Sequence, residues 1–299
     1  MWLYSGKESY YRQLRFWLKI FTLSFGFGVA SGFPMAFQFG TNWSGFADSA
    51  GPFFGNIIGF ETTVAFTLEA TFLGILLFGW KRVPRWLHLL ANFLVLFGAS
   101  LSAFWILAAN SWMQIPTGVH MDGGKVIVDN YFSALFNPDT LVTYAHKWLA
   151  CIETSIFLIG GLAAWAIFKN RENEARRIFF VDTLKYMIVI ALFVTPLQLW
   201  VGDTSGLTVN AYQKEKLAAL ELHYDTNADG VGAPLNLIAW PNKENTGNAF
   251  AIAVPNGLSY FLTHSKTGTV LGLNEFASDN KPTRSESIMV FYSFRVMVA

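Results

Sequence analysis

Long apolar runs separated by short polar segments dominate the chain. Five runs are long enough to predict membrane-spanning helices, at about 16–37, 54–80, 86–110, 139–168 and 178–201. Each exceeds the roughly 20 residues that a helix needs to cross about 30 Å of hydrocarbon. A sixth run begins near Ile288 and continues to Ala299. The pattern therefore predicts an all-α, polytopic transmembrane helix bundle with five full spans and the start of a sixth.

The segment from about 202 to 287 differs in kind from the other connections. It is rich in Asn, Gly, Thr and Pro, too polar to span a membrane and too long for a simple connector. Within it, Lys214–His223 predicts a short amphipathic helix, and Ala249–Val254 and Leu258–Leu262 predict short strands. We therefore predict three parts, namely a transmembrane bundle at 1–201, a folded outer loop at 202–287 and the start of a further transmembrane helix at 288–299.

Positive charge lies on one side of the predicted membrane. The short segments on that side contain Lys7, Arg12, Arg15, Lys19, Lys81, Arg82, Arg85, Lys169, Arg171, Arg176 and Arg177. The opposite short loops, about 38–53 and 111–138, contain a single Lys or Arg residue, Lys125. Because loops rich in Lys and Arg stay in the cytoplasm, these opposite loops and the segment 202–287 are predicted to face outward, toward the periplasm.

Composition agrees with a membrane protein and excludes several other classes. Only 14% of the residues are charged, compared with about 25% in soluble domains, and 53% are hydrophobic. The net charge of +1 gives no indication of nucleic-acid binding. The single cysteine, Cys151, lies in a predicted span, so an internal disulfide is excluded.

Two glutamates, Glu61 and Glu69, interrupt the second apolar run. Burying an acid in hydrocarbon costs several kcal/mol, so an acid retained there usually meets a metal, a counter-charge or a proton path. On a regular α-helix the two side chains would point about 80° apart and be separated by about 12 Å along the axis, and both could face one bundle interior. The alternative is a pair of protonated, hydrogen-bonded structural acids.

His146 is a candidate haem ligand. With Asn137 as N-cap and Pro138 at the first helical position, His146 would lie about 13 Å inside its helix, nearer the outer side of the membrane. A neutral imidazole at that depth is a natural ligand for haem iron, and the alternative is a histidine hydrogen-bonded to a neighbouring helix. Glu153 shares the His146 face of this helix and is expected to hydrogen-bond within the bundle.

Met297 is a second candidate ligand because of its neighbour Arg295. A methionine in an apolar helix is most often a packing residue. Arg295, however, is an always-charged intramembrane cation that needs an acidic partner, and a haem propionate would suit it. Helices that enter from the same side would place His146 and Met297 at comparable depth. Ligation by His and Met gives a six-coordinate electron-transfer haem.

Lys216 and Glu221 lie five positions apart in the predicted outer helix. From the residues alone, an ordinary solvated helix face is the favoured interpretation. His120, His223 and His264 are likewise predicted to be solvated in the outer loops.

The order of several short segments resembles a known family. The segments are Phe37–Ser44, the two-glutamate helix ending in Leu77–Trp80, Ser102–Leu107, Ala109–Gln114, His146, Gly202–Gly206, Gln213–Glu221 and Phe294–Ala299. Each would be weak alone, but together they resemble subunit I of cytochrome bd-type quinol oxidases over nearly all of the chain. The short stretch from Asp203 to Met297 is similar to the branch often called cyanide-insensitive.

The resemblance implies roles for the residues of the outer side. His146 and Met297 correspond to the axial ligands of a low-spin haem b, and Arg295 to a residue beside that haem. Lys216 and Glu221 correspond to residues of the outer quinol-binding loop.

It also implies roles for the two intramembrane acids. Glu61 corresponds to a carboxylate at the haem d site, which makes it a candidate metal ligand, and Glu69 to a carboxylate at the high-spin haem pair and its proton route. Both become catalytic candidates. The implied cofactors are low-spin haem b, a high-spin haem b and haem d, with ubiquinol or menaquinol as substrate.

The implied function is that of a haem-containing subunit of a terminal respiratory oxidase in the bacterial inner membrane. The family oxidises quinol at the periplasmic side and reduces dioxygen to water with cytoplasmic protons, which contributes to the membrane potential without pumping. The expected partners are cytochrome bd subunit II, a small single-helix subunit and membrane lipid, and no nucleic acid.

The resemblance also implies that parts of the family pattern lie outside this sequence. The family's first helix, with an iron-binding histidine, and its last two helices, with another haem-binding glutamate, are not found, so we expect a fragment that is inactive alone. Two other functions stay open. A proton-coupled transporter would explain Glu61 and Glu69 but not His146, Met297 and Arg295 together, and a non-catalytic membrane scaffold would require no chemistry from any of them.

Overall fold

The computed structural model describes residues 5–80, 82–277 and 281–298 of the 299-residue chain. Lys81 of the predicted cytoplasmic basic cluster and Ala299 at the end of the sixth apolar run lie outside the described residues, as do residues 278–280 of the predicted outer loop. The described part is mostly helical, as predicted, and forms two compact units, Met1–Gln198 and Leu199–Ala299.

Within the described residues, five helices are long and apolar enough to cross a membrane, which confirms the predicted number of spans. These spans are built from α1 (Glu8–Gln38), α2 (Ser44–Phe60), α3 (Thr67–Phe78), α4 (Arg85–Gln114), α5 (Tyr131–Leu135), α6 (Thr140–Lys169) and α7 (Glu174–Tyr212), some of which are segments of the same span. Helices α2 and α3 belong to one continuous span, Ser44–Phe78. Helices α1, α4 and α7 extend past their apolar runs because their polar end turns are helical as well.

A π-helical segment, Glu61–Phe66, joins α2 to α3. Its backbone hydrogen bonds run from residue i to i+5, so the chain turns less per residue than in an α-helix. Such segments are rare and occur frequently at functional sites. Because Glu61 opens this segment, the regular-helix spacing that predicted an 80° separation from Glu69 was wrong.

A small β-hairpin, which the sequence pattern did not predict, lies in the loop after α4. Strands β1 (Val119–Asp122) and β2 (Lys125–Val128) pair antiparallel, and Gly123 and Gly124 form the turn with positive φ values of 55° and 80°. Two adjacent residues with positive φ match the twist of a two-residue hairpin. The hairpin packs against one end of the bundle through Val126, in a core with buried residues that include Ala50, Phe53, Phe54, Ile57, Ala109, Trp112 and Ala134.

Helix α6 begins later than the sequence predicted. Asp139, not Asn137, is its N-cap, so the expectation for Asn137 and Pro138 was wrong by two residues. The Asn137 side chain instead accepts hydrogen bonds from the Asp139 backbone N–H at 3.0 Å and from Ser111 Oγ at 2.7 Å. This local turn competes with the first helical turn. His146 therefore lies about 10 Å inside the helix rather than 13 Å.

The second unit contains the end of α7 and a small α+β arrangement. Its further elements are α8 (Lys214–Glu221), β3 (Leu235–Pro241), β4 (Asn248–Val254), α9 (Gly257–Thr263), a 3-10 turn (Leu273–Glu275) and α10 (Arg284–Val298). Strands β3 and β4 pair antiparallel. A core joins α8 and α10 to the sheet, with buried residues that include Ala218, Ala219, Leu222, Tyr224, Ala239, Leu273 and Phe291.

Secondary-structure predictions for the second unit were partly right. The helix predicted at Lys214–His223 and the strand predicted at Ala249–Val254 are present as α8 and β4. The strand predicted at Leu258–Leu262 was wrong, because this segment lies in α9. Leu258 and Leu262 are both buried and lie four positions apart, which is a helical repeat.

The predicted part boundaries fall inside helices. Helix α7 continues without a break from Glu174 to Tyr212, past the boundary predicted after 201, and α10 begins at Arg284 rather than at 288. The predicted boundaries at 201 and 288 therefore do not coincide with the ends of helices, and the division into three parts stays a prediction.

Candidate functional sites

Glu61 is held by hydroxyl groups at the start of the π-helical segment. Ser102 Oγ of α4 donates a hydrogen bond to Glu61 Oε1 at 2.7 Å, and Thr62 Oγ1 lies 3.3 Å from Oε2. The sequence assigns Ser102 no role of its own, although a serine within the apolar run 86–110 is a usable signal for a polar contact inside the bundle. These contacts fix the carboxylate against α4.

Glu69 is buried in the same interface, with 9% of its surface exposed. It packs directly against Gly98 of α4. A Cβ atom placed on Gly98 would lie 3.1 Å from Glu69 Cβ and 3.3 Å from the Ala65 carbonyl oxygen. The glycine thus permits the close approach of the two helices at the acid.

The structure brings both acids to one face of α4. Gly98, which contacts Glu69, and Ser102, which donates to Glu61, are four positions apart and so lie on the same side of α4. The smaller rotation per residue in the π-helical segment Glu61–Phe66 accounts for the shared direction of the two acids. The arrangement offers two carboxyl groups along one helix interface inside a predicted span.

Replacing Gly98 by valine is expected to damage this interface. The branched side chain would need space that Glu69 and Ala65 already occupy, so the free energy of unfolding should fall by about 1–3 kcal/mol. The measurements are the thermal unfolding temperature of the detergent-solubilised full-length protein and the visible absorbance of its bound haem. Gly161→Val in α6 is the matched control, because a Cβ atom there meets no atom of the described residues within 4 Å. Equal losses in both variants would contradict the packing argument.

His146 faces α7. Its Nδ1 atom lies 3.4 Å from the Nε2 atom of Gln198. Seven residues further along α6, Glu153 Oε1 accepts a hydrogen bond from Thr195 Oγ1 of α7 at 2.7 Å. The expectation that Glu153 hydrogen-bonds within the bundle is confirmed. The ring of His146 has a partner on a neighbouring helix through one nitrogen, and that contact leaves Nε2 for a different interaction.

The Gln198 side chain fits a supporting role for a metal-bound histidine. As oriented, its Oε1 atom is buried and has no hydrogen-bond partner among the described residues. A half-turn of the amide would let His146 Nδ1–H donate to Oε1 and satisfy this atom. Histidines that ligate metals usually donate the second ring N–H to such an oxygen, which fixes the tautomer. The orphaned oxygen therefore supports His146 as a ligand through Nε2.

Arg295 and Glu221 form a buried ion pair in the second unit. Arg295 Nη2 donates to Glu221 Oε2 at 2.5 Å, and Nη1 lies 3.4 Å from Oε1. The Glu221 side chain is 7% exposed and that of Arg295 is 19% exposed. Burial raises the pKa of the Glu221 carboxyl, and the hydrogen bond and charge of Arg295 oppose this rise. The acidic partner that the sequence required for Arg295 is therefore present within the protein.

The two predicted quinol-loop residues differ in environment. Glu221 is buried, so the interpretation of a solvated face was wrong for it, whereas Lys216 is exposed and donates to Gln213 Oε1 at 3.1 Å. His223 was predicted to be solvated and is buried, with Nε2 3.2 Å from the Val270 carbonyl oxygen. Burial lowers the pKa of His223, and the hydrogen bond to Val270 opposes that effect.

Met297 lies near the end of α10 with 66% of its surface exposed in the structure. Its thioether is therefore available to a ligand. Met297 belongs to the second unit and His146 to the first, so their sharing of one iron stays a prediction, as does metal ligation by Glu61. Within 5–80, 82–277 and 281–298, no three His, Cys, Asp or Glu side chains form a cluster able to hold a metal ion.

A family model agrees with the resemblance over the whole chain. The model described as cytochrome bd terminal oxidase subunit I matches residues 1–299. The chain is 38% identical over 285 residues to the cytochrome bd-II ubiquinol oxidase subunit 1 of Escherichia coli (strain K12), which is 94% of this chain and 54% of that relative. It is 30% identical over 307 residues to the cytochrome bd ubiquinol oxidase subunit 1 of Bacillus subtilis (strain 168), covering 100% of this chain and 64% of that relative.

A solved structure has the same fold. The bd oxidase from Geobacillus thermodenitrificans matches with a TM-score of 0.86 and 30% identity, over 99% of this chain and 66% of that chain. The chain thus spans roughly half to two-thirds of the length of the relatives it matches. None of these three is named a transporter, so they give that alternative no support.

Proposed function

This chain belongs to the cytochrome bd terminal oxidase subunit I family, and from that premise we propose that it acts within a quinol:oxygen oxidoreductase. The observation that carries the proposal is the buried Glu221 carboxylate held by Arg295 in the second unit. A buried acid with a fixed counter-charge suits proton transfer from a substrate hydroxyl.

The overall reaction is a balanced transfer of protons and electrons. Two quinols each lose two hydrogens as two protons and two electrons, and one dioxygen takes four electrons and four protons to give two waters. Quinol protons leave toward the periplasm and protons for water come from the cytoplasm, so charge is separated across the membrane. The chain's own residues contribute proton acceptors and binding groups to this scheme.

Glu221 accepts a proton from a quinol hydroxyl in this proposal. Arg295 opposes the rise that burial causes in the pKa of the Glu221 carboxyl, and its hydrogen bond fixes the direction of that group. Lys216 lies on the exposed side of α8 and supplies a positive charge to the rim of the quinol site. Ubiquinol and menaquinol both present the hydroxyl that this chemistry needs.

His146 and Met297 are the proposed ligands of a low-spin haem b. The orphaned Gln198 oxygen and the exposed Met297 thioether support this assignment. Haem held by the His146 imidazole and the Met297 thioether would supply one-electron transfer with a raised potential. Gln198 holds the imidazole tautomer, and Arg295 contributes positive charge near the methionine.

Glu61 and Glu69 are proposed to serve the oxygen-reducing side. Glu61, fixed by Ser102, is the candidate ligand at the haem d site, and Glu69 is the candidate proton carrier toward it and a high-spin haem b. Their common position on the α4 interface supports a continuous proton path between them. Gly98 permits the close approach of α4 to the helix that carries Glu69.

The proposed setting is the bacterial inner membrane, with the segment 202–287 in the periplasm. The positive charge of the opposite loops supports this orientation. The proposed partners are cytochrome bd subunit II, a small single-helix subunit and surrounding lipid. Activity is expected from the oxidase assembled with these partners.

Replacing Glu221 by glutamine tests the function. The amide keeps the shape and a hydrogen bond but cannot accept the quinol proton, so quinol-dependent oxygen consumption of the assembled full-length oxidase should fall about a hundredfold. Haem content, read from the reduced-minus-oxidised spectrum, should stay unchanged. Glu244→Gln, an exposed glutamate between β3 and β4, is the control and should keep full activity. An unaffected rate in Glu221→Gln would reject the proposed proton acceptor.

A further inference from the structure

Asn236 lies between the two members of the ion pair. It sits on β3, its surface is 4% exposed, and both its side chain and its backbone contact the pair. Sequence reasoning gave it no role, because nothing in the local pattern of β3 marks it as more than a strand residue.

The side chain of Asn236 holds the end of α8. Its Nδ2 atom donates to the carbonyl oxygens of Glu221 at 2.9 Å and Leu222 at 3.1 Å. Leu222 has the left-handed φ of 45° that ends the helix, and the last carbonyl groups of a helix have no partner inside it. An asparagine amide carries two N–H donors, which match these two acceptors. The backbone that bears Glu221 is thereby tied to β3.

The backbone of the same residue holds Arg295. The Asn236 carbonyl oxygen accepts from Arg295 Nε at 3.0 Å and from Nη2 at 2.6 Å. Nη2 is also the atom that donates to Glu221 Oε2. Asn236 therefore orients Glu221 through its side chain and Arg295 through its main-chain carbonyl group.

We infer that Asn236 is the positioning residue that aligns Glu221 with Arg295 for quinol oxidation. The inference rests on the proposed function, in which Glu221 accepts the quinol proton. A buried hydrogen-bond network of this kind specifies one geometry only when all of its members are satisfied. Without the amide, the carbonyl groups of Glu221 and Leu222 lose a partner and the end of α8 is free to shift.

A neighbouring asparagine separates positioning from simple stabilisation. Asn248 Nδ2 on β4 also donates to the Leu222 carbonyl oxygen, at 2.9 Å. Asn248 thus shares the helix-ending contact of Asn236. Removing Asn248 weakens the same helix end, so it is a matched control for stability.

The experiment compares Asn236→Ala with Asn248→Ala in the assembled full-length oxidase. Asn236→Ala is expected to lower kcat for quinol oxidation about tenfold with KM changed less than about twofold, since the proton acceptor is misplaced in the transition state. Asn248→Ala should keep kcat within about twofold, and low-spin haem absorbance should be unchanged in both. Equal kcat losses in the two variants would overturn the inference.

A double-mutant cycle with Glu221→Gln gives a second readout. If Asn236 acts through Glu221, then Asn236→Ala should change the rate less than about twofold once Glu221 is already glutamine. An equal tenfold loss in both backgrounds would overturn the inference. If Asn236→Ala does not assemble, Asn236→Ser, whose hydroxyl can serve one of the two carbonyl groups, should give an intermediate loss, and a wild-type rate would overturn the inference.

The outcomes distinguish this inference from the proposed function. An unchanged rate in Glu221→Gln removes the proton-acceptor role and this inference with it. A slow Glu221→Gln combined with indistinguishable Asn236→Ala and Asn248→Ala variants leaves the proposed function intact and rejects only the role of Asn236.

Discussion

Replacing His146 by alanine in the full-length protein should remove the low-spin haem signal and abolish quinol-dependent oxygen consumption. An alanine has no atom able to ligate iron, and Met297 would be left as the one proposed protein ligand of the low-spin haem. Even the loss of a supporting partner typically lowers metal affinity 10- to 100-fold, so loss of the ligand itself should exceed about a hundredfold. The measurement is the reduced-minus-oxidised spectrum of the solubilised oxidase.

His120→Ala is the control for the His146 variant. His120 lies in the same unit, on β1, and its exposed ring pairs with Asp129 at 2.8 Å. Its removal should leave the haem spectrum unchanged. A normal low-spin band in His146→Ala would exclude His146 as a ligand and would favour the other interpretation left open by the sequence, a histidine that only hydrogen-bonds to α7.

Replacing Arg295 by methionine is expected to have the largest effect on stability. It leaves the buried Glu221 carboxylate without its counter-charge, and breaking a buried ion pair from one side typically costs about 3–5 kcal/mol. The variant also loses the hydrogen bonds to the Asn236 carbonyl oxygen and the stacking of the guanidinium over the Phe291 ring, 4.6 Å from its centre. The thermal unfolding temperature of the solubilised full-length protein measures the effect.

A second substitution checks the physical cause. Adding Glu221→Gln to Arg295→Met removes the uncompensated charge and should restore part of the lost free energy of unfolding. Arg284→Met is the matched control, because Arg284 also lies on α10 and donates to the carbonyl oxygens of Pro241 and Asn242. A loss as large for Arg284→Met, or no recovery in the double variant, would contradict the ion-pair explanation.

The membrane spans were predictable because their signal is local. Apolar length alone decides whether a helix can cross a bilayer, and each of the five predicted runs overlaps one such helix. The family was also identifiable from short segments in order. The presence of an acidic partner for Arg295 followed from the cost of an isolated buried charge.

Which acid is the partner did not follow from the sequence. Glu221 lies 74 positions before Arg295, and only the packing of α8 and α10 around the sheet brings them together. The burial of Glu221 and His223 had the same origin. A polar residue in a polar segment predicts solvent exposure unless the tertiary structure covers it.

Backbone features were missed for a different reason. The hairpin at 119–128 is short, and its Gly123-Gly124 turn was the one usable signal for it. The π-helical winding of Glu61–Phe66 has no compositional signature at all. The two-residue error at the start of α6 came from Asn137, whose side chain forms its own turn instead of capping the helix.

The winding of Glu61–Phe66 affects the direction of the side chains in this span without affecting its apolar length. Deleting one residue from this stretch would leave enough apolar chain to cross the bilayer, so a hydropathy profile would barely change. The direction of Glu69 depends on this winding: a change that kept every residue but restored the roughly 100° per residue of a regular α-helix would turn Glu69 away from Gly98. A hydropathy profile therefore reports neither the winding of this segment nor the direction of its acidic side chains.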